Sequence, residues 1–363
     1  MKKNLRSGYT TGACAAAAAK GAALMLRSQA LCAEVRIDLP AGFSASFQLH
    51  DQYFSLNEAS CFVVKDAGDD PDVTNGAEVH AMMTRTPPPL PPVEGERIII
   101  IEGGAGIGKV TKPGLAIPPG EWAINPVPRR MILQALEGVL SEPDILNAEF
   151  KIVISIPDGA ERAKKTLNAR LGIIGGLSIL GTSGIVRPIS AKAWTDTIDA
   201  ALDVAKACGC ETVVLSTGRS SEMAAQKQLS HIPDEAYIMM GDHVAYSLQA
   251  CARRGFMAPT IACQFAKMLK IACGYENTHA AASELDLAVL HKWAEDANIP
   301  PEYLAIIAHA NTAREIAVTT CFDRALMGLV AARARKAAAV HAPGITLCPL
   351  LCKYDGSIVE AMI

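Results

Sequence analysis

Four carboxylates, Asp66, Asp69, Asp70 and Asp72, fall within seven positions, just after the apolar residues Val63 and Val64. Like charges packed this tightly repel one another. They read as an oxygen-ligand cation site, as a group that attracts a ligand cation or takes up a proton, or as a solvated turn. An EF-hand is excluded, because the DxDxDG register and its closing Glu are missing. A second candidate segment is Arg6–Cys14, whose Ser, Gly and Thr residues lead into an Ala-rich stretch. Thr10 or Thr11 can cap a helix there, and the amides of a helix start can hold an anion. Ordinary capping is the alternative. A third is Gly120–Ile132, where Asn125 or Val127 precedes prolines suited to a first helical turn. Arg129 and Arg130 sit beside that start, which two cations do not favour. The pair reads as the holder of a bound anion or as solvent-facing side chains.

Gly104, Gly106 and Gly108 alternate after the apolar run Ile98–Ile101, Glu102 and Gly103. Glycine permits positive φ and a close approach of backbone to ligand. The pattern echoes the glycine-rich turn by which many methyltransferases approach S-adenosylmethionine. It is not a dinucleotide fingerprint: G-x-G-x-x-G is out of register, and 109–114 cannot be the required helix. In the second half, glycines and hydroxyls recur in 175–189, in Ser216–Arg219 and in Gly241–His243. These follow strand-like runs, where open α/β sheets place ligands. Gly274–His279 opens a helix; His243 and His279 by themselves read as structural histidines first and catalysts second. There is no G-x-S-x-G elbow, no HExxH and no obvious Cys–His pair.

The elements that must carry these loops change character along the chain. An Ala-driven helix is expected from Ala13 to Leu26, despite a superficial likeness of the basic N-terminus to a signal peptide. Strands are expected at Glu34–Leu39, Ser44–Leu49, Cys61–Lys65, Gly76–Thr84 and Arg97–Ile101, in an antiparallel or mixed sheet. The proline tract Thr86–Val93 is read as an extended connection within one domain. From Phe150 strands and helices alternate. Strands are expected at Lys151–Ile156, Thr212–Ser216, Ala236–Met240 and Pro259–Cys263. Helices are expected at Asp158–Leu171, Ala191–Cys208, Ser220–Leu229, Asp242–Arg254, Gln264–Cys273, Thr278–Ala297 and Thr312–Ala339. That rhythm predicts a parallel sheet covered on both faces.

The chain has 363 residues, which favours two domains. The predicted division is an α+β domain over 1–148 and an α/β domain over 149–363. The net charge of −3 argues against a polybasic nucleic-acid binder. No apolar run is long enough for a membrane span. Eleven cysteines in scattered positions do not look like a disulfide framework. Cys208 and Cys210, or Cys348 and Cys352, approach metal spacing without a second dense pair. Buried thiols in a reducing cytoplasm are the expectation.

Together these segments resemble the cobalt-precorrin-5B (C-1)-methyltransferase family of anaerobic cobalamin biosynthesis. The resemblance lies in LRSGYTTGACAAAAAK (5–20), VKDAGDDPDVT (64–74), GGAGIGKVTKPGL (103–115), AINPVPR (123–129), ILGTSGIV (179–186) and Thr278–His279, in order along most of the chain. The stretch TIACQFA (260–266) departs from the family's more usual His- and Gly-containing stretch. The resemblance implies an α+β N-terminal domain and a Rossmann-like, three-layer α/β/α C-terminal domain. It implies methyl transfer from S-adenosylmethionine to ring carbon 1 of cobalt-precorrin-5B, giving cobalt-precorrin-6A. The cobalt travels with the substrate, so no protein-bound metal is expected.

With that reaction in view, the residues take expected roles. Arg6, Lys65, Lys109, Lys112, Asn125, Arg129 and Arg187 are the candidates to meet a carboxylate-edged macrocycle, and Arg219 lies beside a motif as well. Thr10, Thr11, Glu102, Gly103, Gly104, Gly106, Gly108 and Thr182 are the candidates around the donor. Asp66, Asp69, Asp70 and His279 are candidates for proton handling. The expected partner is a small-molecule corrinoid, with neither nucleic acid nor membrane; homo-oligomerisation or transient contact with neighbouring pathway enzymes is left open. A nicotinamide-dependent oxidoreductase and a non-catalytic tetrapyrrole carrier are the rival readings.

Overall fold

The computed structural model describes residues 5–86, 99–140, 148–188 and 190–359. It divides into two units, Met1–Ser190 and Ala191–Ile363. The predicted boundary at 148/149 is therefore displaced: the strand at Glu149–Ser155 is an interior strand of the first unit's sheet, not the opening strand of the second. Most of the proline tract, residues 87–93, and the first two residues of the Arg97–Ile101 strand lie outside the described residues.

In the first unit, β1 (Gly8–Tyr9) leads into α1 (Thr11–Ser28). Thr10 is the cap, its hydroxyl accepting the Ala13 N–H at 3.2 Å. Every residue from Ala13 to Ala19 is fully buried. A helix this uniformly apolar must be covered all round. One cover is a five-stranded sheet of β4 (His50–Phe54), β5 (Glu58–Val64), β6 (Glu78–Thr86), β9 (Glu149–Ser155) and β7 (Ile99–Gly103), in that order. Only the β9–β7 pair is parallel. Alternate residues Ala59, Cys61, Val63, Val79, Ala81, Met83, Ile152 and Ile154 are buried in the cluster that holds α1. The approach is close: the Cys61 thiol reaches the Ala18 carbonyl at 3.3 Å. The other cover is α2 (Pro126–Glu137). A hairpin, β2 (Glu34–Leu39) with β3 (Phe43–Gln48), buries every second residue in the same core. Two-residue pairings, β1 with β11 (Ile185–Val186) and β8 (Lys109–Val110) with β10 (Ile173–Ile174), tie the loops together. The predicted helix over 158–171 shrinks to α3 (Gly159–Ala163). Thr166 bonds the Ala163 carbonyl and Asn168 the Gly176 carbonyl, local bonds that compete with helix.

The second unit has a four-stranded, all-parallel sheet in the order β13 (Tyr237–Met239), β12 (Val214–Ser216), β14 (Thr260–Gln264), β15 (Cys348–Cys352). Its two faces bury different residues. Leu215, Ile238, Ile261, Cys263 and Leu351 join a core with α4 (Ala191–Ala207), α6 (Val244–Arg254) and α7 (Phe265–Ala272). Val214, Tyr237, Ala262 and Leu350 pack with Ala224 and Ala225 of α5 (Arg219–Gln228). Helices thus lie on both faces, as the alternating pattern required. The predicted helix Thr278–Ala297 is only its second half, α8 (Leu287–Asp296), capped by Asp286. It is followed by α9 (Pro301–His309). The predicted helix Thr312–Ala339 is two, α10 (Ala313–Thr319) and α11 (Arg324–His341). Cys321 and Phe322 turn left-handed between them, with φ of 50° and 55°.

Candidate active site

The motif loops of the first unit, far apart in sequence, are hydrogen-bonded into one hub. The Tyr9 N–H donates to the Asp66 carbonyl at 2.7 Å, Thr10 to Gly184 at 3.0 Å and Gly12 to Leu180 at 3.0 Å. Asn125 donates to Ile179, Gly108 to Leu177 and Leu177 to Gly106, each at 2.9–3.0 Å. Segments 5–20, 64–74, 103–115, 123–129 and 179–186 therefore form one contiguous site.

The acidic loop resolves its own repulsion. Asp66 takes the Arg6 guanidinium on both oxygens, at 2.5 and 2.8 Å, and also the Gly68 N–H. The Arg6 bond, followed by the Gly68 N–H, holds the Asp66 carboxyl below the usual carboxylate range. Asp69 accepts the Arg6 backbone N–H at 2.7 Å. Asp72 meets the buried Lys65 ammonium at 2.6 Å and caps Thr74. Burial alone would raise the Asp72 pKa; Lys65 and Thr74 outweigh it and leave it lowered. Arg162 braces the loop from α3 through the carbonyls of Val73 and Asn75. Arg6 and Lys65 are thus engaged by the loop itself; Asp69 is exposed and Asp70 half-buried.

The helix starts are likewise bonded within the protein, which at α1 is ordinary capping, one of the two readings. At α1 the Gly12 and Ala13 N–H groups are taken by Leu180 and by the Thr10 hydroxyl. At α2, Pro126 and Pro128 carry no N–H at all. Arg129 spends its guanidinium on the carbonyls of Ile124 (3.0 Å) and Ile101 (3.2 Å). Lys109 is exposed, its ammonium 4.5 Å from the Trp122 ring centre. Arg187 and Thr182 are exposed, and Lys112 and Asn125 half-buried. Lys112 lays its stem against Gly172.

The glycines of 103–108 serve internal packing. A Cβ on Gly103 would meet Trp122, on Gly104 the Ser155 hydroxyl, on Gly106 the Ile156 carbonyl at 1.8 Å, and on Gly108 Ile173 and Gly176. Gly106 also has φ of +73°. Glu102 pairs with Lys151 at 2.7 Å. After Gly108 the chain enters β8, not a helix.

His279 belongs to the second unit. It is exposed, and its Nδ1 accepts the Ala281 N–H at 3.1 Å. Beside it in sequence, the fully buried Thr278 hydroxyl donates to Asp242 at 2.7 Å, and Lys267 bonds the same carboxylate oxygen. Burial pushes the Asp242 pKa up, but Lys267 and Thr278 more than offset it. Lys267 does not stand out in the sequence, because it falls at ordinary helix spacing. Among the described residues no group of three or more His, Cys, Asp or Glu is placed to hold a metal ion.

The family model described as CbiD matches residues 1–188, and that described as CbiD, C-terminal domain, matches 277–361. The chain belongs to the CbiD family. A protein of Pelobacter propionicus named cobalt-precorrin-5B C(1)-methyltransferase is 59% identical, covering 98% of this chain and 95% of that one. A Geobacter sulfurreducens protein of the same name is 55% identical over 98% of each chain. A solved cobalamin biosynthesis protein (cbiD) from Archaeoglobus fulgidus is 26% identical, covering 73% of this chain and 78% of that one, with a TM-score of 0.38.

Proposed function

We propose that this chain is an S-adenosylmethionine-dependent methyltransferase acting on carbon 1 of cobalt-precorrin-5B, with cobalt-precorrin-6A as product, in anaerobic cobalamin biosynthesis. The observation that carries the reading is the hub. Five motif segments spread over the first unit meet at one place, in a chain whose full-length relatives share that name. The donor supplies an electrophilic methyl group on a sulfonium sulfur. The protein's work is alignment for in-line transfer, worth up to about 7–11 kcal/mol in favourable cases.

In this reading the exposed Lys109 and Arg187, with Lys112 and Asn125, meet carboxylates at the macrocycle edge. Arg6, Lys65 and Arg129 hold the loops in place, since their donors go to Asp66, Asp72 and two carbonyls. Asp69 and Asp70 are the proton-handling candidates in the acidic loop. Asp66, held as a carboxylate by Arg6, makes a poor base. The second unit is read as a Rossmann-like three-layer domain. Cys14, Cys61, Cys251, Cys263 and Cys352 are buried thiols, in keeping with a reducing cytoplasm. The strand after Gly108 counts against a nicotinamide site, which needs a helix there.

The test is anoxic incubation of the protein with S-adenosylmethionine and cobalt-precorrin-5B. The expected result is a corrinoid heavier by one CH₂ unit, with S-adenosylhomocysteine formed in equal amount. No mass gain overturns the assignment.

A further inference from the structure

The glycines of 103–108 have no room to spare, yet the carboxyl end of the second unit's sheet has both open backbone and exposed aromatic surface. β12 lies between β13 and β14, so its two neighbours are reached on opposite sides. That is the switch point at which open α/β sheets bind ligands. Directly after β12 comes α5, with Gly218 at its N-cap and no side chain capping its first-turn amides. Apart from its own chain neighbours, no atom of the described residues lies within 4 Å of the place a Gly218 Cβ would take. At the strand's end Ser216 is fully buried, and its hydroxyl has no hydrogen-bond partner among the described residues. It is two residues from Val214, so its side chain points to the face on which α5 lies.

The neighbouring loop adds an aromatic wall. The Gly241 N–H donates to the Ser216 carbonyl at 3.3 Å. Trp194, at the start of α4, is 46% exposed and donates its indole N–H to the Met240 carbonyl at 3.0 Å. Its ring lies against Gly241, whose Cβ would come within 2.8 Å of it, and is stacked with His243 at 6.4 Å. Asp242, fixed by Lys267 and Thr278, sets the loop's position. Gly218 is two positions along the chain from Ser216, a span of at most about 7 Å. An aromatic platform and a helix start thus stand within one small molecule's length.

We propose that this crevice binds the methyl donor: its adenine against Trp194 and His243, its amino-acid carboxylate on the amides that open α5. Arg219 and the buried Glu222 neutralise each other at 2.6 Å, so the amides are left to meet the carboxylate. The inference rests on the methyl-transfer reading and deepens it by assigning the donor to the second unit.

The test is calorimetric titration of the full chain with S-adenosylhomocysteine. Trp194→Ala should weaken binding about tenfold or more, the size expected for losing a base–aromatic stack. Gly218→Val should weaken it comparably with unchanged thermal stability, since φ at Gly218 is −175° and a side chain fits there. Ala105→Trp, on the exposed tip of the glycine loop, should leave it unchanged. Wild-type affinity in the Gly218 variant, or loss in the Ala105 variant alone, overturns the proposal. So does tighter binding of AMP or NADH than of S-adenosylhomocysteine to the wild-type chain. No binding of S-adenosylhomocysteine to the wild-type chain would instead remove the methyl-transfer reading on which it rests.

Discussion

The Thr11 hydroxyl donates to the Leu180 carbonyl at 3.2 Å and accepts the Leu180 N–H at 3.0 Å. One side chain thus satisfies both backbone groups of a residue 169 positions away. Thr11→Val keeps the shape and removes both bonds. The Gly12 N–H still satisfies the Leu180 carbonyl and Leu180 is half exposed, so the cost should be about 1 kcal/mol, and Thr11→Ser should recover most of it. Urea unfolding of the three proteins decides; equal midpoints would show the pair to be dispensable.

The Lys65–Asp72 pair sets an acid limit. Because the folded Asp72 pKa is lowered, its contribution to stability is full above the ordinary carboxylate pKa of about 4 and fades as pH falls through the lowered value. Asp72→Asn leaves the buried Lys65 without its counter-charge. The loss should be about 3 kcal/mol at neutral pH, the low end for a broken buried pair because Asp72 is itself a quarter exposed. Stability of the variant measured from pH 7 down to pH 3 should fall less than that of the wild type. A parallel decline would remove Asp72 from the account.

Gly106 is a folding residue before it is a binding one. A side chain there meets a backbone oxygen in a left-handed conformation. The backbone strain alone is about 1–3 kcal/mol. Gly106→Ala should therefore lower the melting temperature markedly, whatever it does to ligand affinity. An unshifted melting curve contradicts the packing.

Lys109→Ala and Arg187→Ala should each raise KM for the corrinoid several-fold with little change in thermal stability, since both side chains are exposed. Arg129→Ala should do the reverse, destabilising the fold through its two carbonyls. Steady-state kinetics paired with calorimetry separates the two patterns; an unchanged KM in both lysine and arginine variants rejects their contact with substrate.

Much of this arrangement was legible in the residues. A threonine cap at Thr10 or Thr11, the strand alternation at Glu34–Leu39 and the β/α rhythm after Val214 are local patterns, and local patterns survive into the fold. The domain boundary was not, because β9 reads as a buried strand wherever it goes; its neighbours, β6 and β7, are chosen by long-range pairing. Cys321 and Phe322 hid the break between α10 and α11, as neither is a helix breaker by type. The acidic loop misled for a different reason. Its compensating cations, Arg6 and Lys65, were visible, but which carboxylate each would meet depends on how β1 crosses the loop.

The run Ala13–Ala19 limits how this chain can drift. With side chains no larger than a methyl or a thiol, the sheet and α2 rest nearly on the helix backbone; even Gly12 would push a Cβ to 2.8 Å from Pro128. An added methylene there has nowhere to go and costs about 1–3 kcal/mol. A saturation library should accept little beyond glycine, alanine, serine and cysteine at these positions and show the rest as an unbroken stripe of intolerance.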